Sequence, residues 1–102
     1  MIVEYIRYKV DISQRDTFVE AYKQAFKVLD ASPHCLAYEL TACKEEPERF
    51  IIRIEWTSTE DHLQGFRKSV IFPEFFTHVK PFFSNIEEMH HYTSLIVSKR
   101  TT

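Results

Sequence analysis

Glycine and cysteine are almost missing from this chain: Gly65 is its only glycine, and Cys35 and Cys43 its only cysteines, among 102 residues. A glycine-rich nucleotide loop is therefore excluded, and with it any flavin motif of that kind. Eight residues apart on one expected strand, the two cysteines lie about 26 Å from each other at about 3.3 Å per residue, too far to bridge. Reduced thiols are expected, which agrees with a cytoplasmic setting. Charge of one sign is also lacking. Thirteen basic and 15 acidic residues give a formal charge of −2, spread along the chain, so no field suits a phosphate backbone or anionic lipid. Neither nucleic acid nor membrane is expected as a partner. No apolar run approaches the roughly 20 residues of a membrane span. The alternating, charged start Met1-Ile2-Val3-Glu4-Tyr5-Ile6-Arg7-Tyr8 does not read as a signal peptide, and a soluble cytoplasmic protein is the expectation.

What the chain does have is 44% hydrophobic and 15% aromatic residues, sufficient for one core in a single domain over 1–102 and small enough to gain from a partner subunit. Residues 2–10 mix β-branched and aromatic residues with charges and read as a strand. Ser13 with Asp16 resembles a helix start, and Phe18, Ala21, Tyr22, Ala25 and Leu29 recur at helical spacing, which predicts a helix over about 14–30, stopped at Ser32-Pro33. Residues 35–43 and 49–56 predict a hairpin turning at Pro47. In its second strand Phe50, Ile52, Ile54 and Trp56 share one face and Ile51, Arg53 and Glu55 the other. Thr57 with Glu60, or Ser58 with Asp61, makes a capping box for a short helix to about Lys68. Pro73 opens another, in which Phe75, Phe76 and Val79 point inward. A last strand is expected over 85–97, followed by a frayed tail, Lys99-Arg100-Thr101-Thr102.

The order β-α-β-β-α-β is that of a ferredoxin-like α+β fold: a four-stranded antiparallel sheet with helices on one face. Its other face, bearing Ile51 among charges, would be left bare, and a homodimer formed through that sheet face is the expected solution, giving a dimeric α/β barrel.

These residues resemble the antibiotic biosynthesis monooxygenase domain, the dimeric α+β barrel group that includes cofactor-independent quinol and anthrone oxygenases. The resemblance is carried by Glu4-Tyr5-Ile6-Arg7-Tyr8, Ser32-Pro33-His34-Cys35-Leu36, Tyr38-Glu39-Leu40, Glu46-Pro47-Glu48-Arg49-Phe50 and Arg53-Ile54-Glu55-Trp56. It continues in His62, Gly65-Phe66-Arg67, Ser69, Phe72, Phe76 and Glu88-Met89-His90-His91-Tyr92. It implies monooxygenation of a small aromatic quinol or polyphenol with dioxygen, the substrate serving as reductant and no cofactor being bound. The haem-degrading branch implies an axial histidine where Phe76 stands, a tryptophan near the place of Phe66 and an asparagine on the first strand, so haem degradation is not expected.

Such chemistry needs a dry aromatic pocket, a base, and a group that stabilises the developing oxyanion. His62 is the candidate base, four residues before Phe66 and on the same helix side; the alternative is a histidine that only borders core and solvent. Arg7 is the candidate stabiliser, or else one half of an interfacial ion pair with Glu39 or Glu55. Trp56, Phe66, Phe72 and Phe76, together with Phe75, form either an aromatic substrate slot or plain core. His91, on the side of Met89 and Leu95, is a candidate pocket residue. Adjacent His90 and His91 point to opposite faces and cannot chelate one ion together, and no cysteine or carboxylate set completes a tetrahedron around either, so no metal site is expected. A nucleophilic Cys35 with His34 lacks a third, orienting group. A dimeric, non-catalytic module that binds a hydrophobic small molecule or a partner protein remains the other reading.

Overall fold

A computed structural model describes residues 2–99 and contains the expected fold. Strand β1, Ile2–Lys9, leads through a 3₁₀ turn at Ile12–Gln14 into helix α1, Arg15–Leu29. Strands β2, Cys35–Ala42, and β3, Arg49–Trp56, follow. A π-helix, Asp61–Phe66, a second α-helix, α2, Phe72–Val79, and a 3₁₀ segment, Lys80–Asn85, then lead to β4, Ile86–Thr93. All strand pairs are antiparallel, and the sheet order is β2-β3-β1-β4. This is the ferredoxin-like arrangement, with the first and third strands at the centre and the helices on one face.

Alternation explains the core. Phe50, Ile52, Ile54 and Trp56 are all buried along one side of β3, facing Phe18, Tyr22, Ala25 and Leu29 of α1. Phe18 is tilted or edge-on against Tyr8, Tyr22, Phe50 and Phe82, with centroids 4.8–5.3 Å away. The two buried tyrosine hydroxyls meet at 2.6 Å, which satisfies groups that would otherwise be stranded in an apolar interior. Burial pushes the Tyr8 phenol up to about 12, so it stays neutral.

Several boundaries differ from the sequence reading. Asp11, not Ser13, caps the first turn, its carboxylate accepting the Ser13 N–H at 2.9 Å. Of the two possible capping boxes, one half of Ser58 with Asp61 is built: the Asp61 N–H donates to Ser58 Oγ at 2.9 Å, while the Asp61 carboxylate accepts from the Thr57 hydroxyl. The turns that follow wind as a π-helix instead of an α-helix, the Arg67 N–H reaching back five residues to the His62 carbonyl. The last strand stops at Thr93, because the apolar run Leu95-Ile96-Val97 that suggested its extension is exposed and unpaired with the sheet. Arg100, Thr101 and Thr102 of the expected tail lie outside the described residues. Among the described residues no helix is long and apolar enough to cross a membrane.

Candidate active site

Between the sheet and the two short helices lies a cavity of about 290 Å³. Strand alternation supplies its floor, since even-numbered Glu4, Ile6 and Tyr8 of β1 and Ile54 and Trp56 of β3 turn to the helical side. The π-helix and α2 supply its lid through His62, Phe66, Arg67, Phe72, Phe75, Phe76 and Val79. The wide π turn brings His62 and Phe66 into the interior together, both nearly inaccessible to solvent. Such windings are frequent at functional sites.

One end of this apolar chamber is polar. His62 stacks on Trp56 with centroids 4.2 Å apart and planes 11° from parallel. The indole N–H donates to Glu4 Oε1 at 3.0 Å. The same carboxylate oxygen lies 3.7 Å from His62 Nε2, and His62 Nδ1 meets His91 Nε2 at 2.7 Å. Glu4 and His62 are only 2% and 3% exposed, so a carboxyl–imidazole–imidazole chain runs from the chamber wall toward the surface at β4. His91 does not itself line the chamber; it backs His62 from the strand opposite Glu4.

Burial sets the protonation. It pushes the His62 imidazole down to about 3, with the positive charge of Arg67 and neighbouring His91 adding in the same direction. Burial also raises the Glu4 carboxyl, against the lowering effects of the Trp56 hydrogen bond and Arg67. The unfolded chain protonates His62 near pH 6.5, while the native chain waits until about pH 3. The unfolded state thus binds more protons between those values, and His62 makes stability fall as pH drops from about 6.5 toward 3. Glu4 acts in the opposite sense: its native carboxyl keeps its proton to higher pH than in the unfolded chain, so its contribution declines as pH rises above 4.5. Urea unfolding of wild type and His62→Gln between pH 7 and 5 separates the two. The wild-type midpoint should drop more than that of the variant; equal slopes would remove the assignment to His62.

Trp56, Phe66, Phe72, Phe76 and His62 all border the chamber. Arg7 does not. Odd-numbered residues of β1 face the other way, and its Nε lies 3.4 Å from Glu88 Oε1 on the outer sheet surface, rather than beside Glu39 or Glu55. Arg53 pairs with Glu55 on that same outer surface. The cation that does line the chamber is Arg67. Glu4 and Arg67 were missed as site residues, although a carboxylate on the otherwise apolar side Ile2-Glu4-Ile6-Tyr8 was a readable signal. The sequence reading found no cysteine or carboxylate set completing a tetrahedron around His90 or His91, and the structure sets one carboxylate, Glu4, and a second imidazole, His62, beside His91. His90 and His91 do point apart, yet antiparallel pairing sets Glu4 opposite His91, and His62 arrives from the lid. Burial pushes the Cys35 thiol up to about 11, which disfavours the reactive thiolate.

Comparison with known proteins agrees with this architecture. Residues 1–79 match the family model described as antibiotic biosynthesis monooxygenase. The uncharacterized protein YczJ of Bacillus subtilis (strain 168) is 27% identical over 75 residues, 74% of this chain and 79% of that one. Among solved structures, a Bordetella bronchiseptica protein placed among the antibiotic biosynthesis monooxygenases superposes with a TM-score of 0.81 at 23% identity, covering 93% of this chain and 97% of its own. A variant of SnoaB, a cofactor-independent oxygenase from Streptomyces nogalater, gives a TM-score of 0.77 at 12% identity, with 94% of each chain covered.

Proposed function

The chain belongs to the antibiotic biosynthesis monooxygenase family, and on that premise we propose that it oxygenates a small aromatic quinol or polyphenol with dioxygen, using no bound cofactor. The observation that carries this reading is the coincidence of a small aromatic-walled chamber with a buried carboxyl–imidazole pair on its wall. At about 290 Å³ the chamber stands at the low end of ligand sites, which run from roughly 300 to 1,000 Å³. It therefore suits one compact aromatic molecule, stacked among Trp56, Phe66, Phe72 and Phe76.

The chemistry follows from those parts. A quinol hydroxyl gives its proton to the His62–Glu4 pair, and the nearby carboxylate steadies the imidazolium that forms. Arg67, the cation at the chamber, stabilises the resulting quinolate. The electron-rich anion passes one electron to dioxygen, and the two radicals combine into a carbon–oxygen bond. One oxygen atom stays in the product as a hydroxyquinone; the other leaves as water with the two hydrogens the quinol has lost. Substrate and dioxygen supply every electron, so no further reductant is needed.

On the outer sheet face, Tyr5 meets Tyr92 edge-on at 5.3 Å, beside the Arg53–Glu55 pair and Ile51. This mixed face supports a homodimer formed through the sheet, and the free thiols of Cys35 and Cys43 support a cytoplasmic setting.

Oxygen consumption over a panel of benzoquinols and naphthoquinols tests the reading. Uptake above the autoxidation rate, with one hydroxyquinone formed per dioxygen consumed, is expected for at least one member. Ligands that raise the melting temperature without any oxygen uptake across the panel would instead identify a non-catalytic binding module.

A further inference from the structure

We propose that Glu4, His62 and His91 form a three-ligand site for a divalent transition metal, with its remaining coordination position open to the chamber. The three side chains come from three separate elements, β1, the π-helix and β4, and each offers one ligand atom such that all three atoms lie within 4.8 Å of one another. A tetrahedral ion with Zn–N near 2.0–2.1 Å and Zn–O near 2.0–2.2 Å holds its ligands about 3.4 Å apart. His62 meets its two partners through different nitrogens, Nδ1 to His91 Nε2 at 2.7 Å and Nε2 to Glu4 Oε1 at 3.7 Å, so an ion held by one of them gathers ligand atoms that lie within 4.8 Å of one another.

The surroundings favour a site over a chance encounter. Glu4 and His62 are almost fully buried, and burial of charged or polar groups is costly unless partners compensate them. Trp56 holds both, donating to Glu4 and stacking on His62, much as outer groups orient ligands in metal centres. Two imidazoles and one carboxylate suit Zn²⁺, Co²⁺, Ni²⁺ or Fe²⁺ and are poor for the oxygen-seeking Mg²⁺ and Ca²⁺. Three protein ligands with an open position is the pattern of sites that bind an exogenous molecule, unlike the closed four-ligand sets of structural zinc. Glu4 and His62 border the chamber, so the open position faces the space where an aromatic hydroxyl would lie. Arg67 opposes the cation, since its charge is felt at all three ligands.

A metal and a transferable proton use the same lone pairs. This part rests on the oxygenase reading: occupancy by zinc should suppress proton uptake by His62 and Glu4 and slow turnover. Binding itself is independent of that reading and is measured without turnover. Cobalt(II) is titrated into chelator-stripped, full-length protein and followed by its visible d–d absorption, with zinc affinity taken from competition. One equivalent per chain is expected. Glu4→Gln and His91→Ala should each weaken binding at least tenfold. Arg67→Gln should tighten it several-fold, while His90→Ala and the Cys35→Ser/Cys43→Ser double variant should leave it unchanged. His91 is only partly buried, so His91→Ala should retain the wild-type circular dichroism. Absence of the cobalt bands, survival of binding in His91→Ala, or its loss in the cysteine double variant would each overturn the site.

Discussion

Glu4→Gln is expected to cut oxygen uptake by about 10²- to 10³-fold, the range in which a positioned general base contributes. The amide is nearly isosteric and its carbonyl oxygen still accepts the Trp56 indole N–H, now at 3.0 Å, so the fold and the chamber should persist. What it cannot do is take up a proton or steady a protonated His62 at 3.7 Å. His62→Ala should lower the rate comparably. Arg7→Gln is the matching control: its guanidinium lies on the far side of the sheet, about half exposed, against Glu88, and turnover should stay within about twofold of wild type with stability changed by less than about 1 kcal/mol. The measurement is the initial rate of oxygen consumption with the best quinol of the panel. Full activity in both Glu4→Gln and His62→Ala would end the assignment of the proton acceptor.

Trp56→Ala should be the most damaging single substitution to stability. The indole is 1% exposed and packs against His62 at 4.2 Å and Phe66 at 5.1 Å. Removing so large a buried ring costs about 3–5 kcal/mol in transfer and cavity terms. Glu4 loses its indole donor in addition, and stranding a buried acceptor costs about 1–3 kcal/mol more. Domains of this size have about 5–15 kcal/mol in all, so the variant should sit close to its unfolding midpoint at room temperature. Trp56→Phe keeps an aromatic ring over His62, removes the N–H and leaves only a small cavity, so its cost should be well below that of Trp56→Ala. Urea denaturation with circular dichroism measures both. A Trp56→Ala midpoint within error of wild type would mean that the ring is not the keystone of this corner.

Much of the architecture was legible because two periods run cleanly through the chain. In β3 the side holding Phe50, Ile52, Ile54 and Trp56 is wholly apolar, and the helix bearing Phe18, Tyr22, Ala25 and Leu29 has the complementary stripe. Together they specify which surfaces meet. The aromatic walls of the chamber could be picked out for the same reason. The rest depended on relations that local patterns do not carry. Whether Arg7 or Glu4 enters the interior turns on the phase of β1, whose two sides both contain apolar and charged members. Only the pairing of Glu4 with His91 across 87 positions of sequence, set by the β1–β4 register, brings the carboxylate to the histidines. A π turn and an α turn look alike in residue pattern, so Arg67 could not be assigned to the chamber from spacing. Leu95-Ile96-Val97 has strand-like composition without a neighbouring strand to receive it, which is why β4 ends early.

The extra residue in that lid winding carries a constraint on how this chain can change. A π turn encloses one residue more than its α counterpart, so losing a single residue between His62 and Phe66 lets the backbone relax into ordinary α geometry with the following side chains kept in register. Phe66 would keep its seat beside the indole and the Arg67 N–H would still reach the His62 carbonyl, now four residues back. The same deletion in α2, which holds no such extra residue, would turn every later side chain by about 100°.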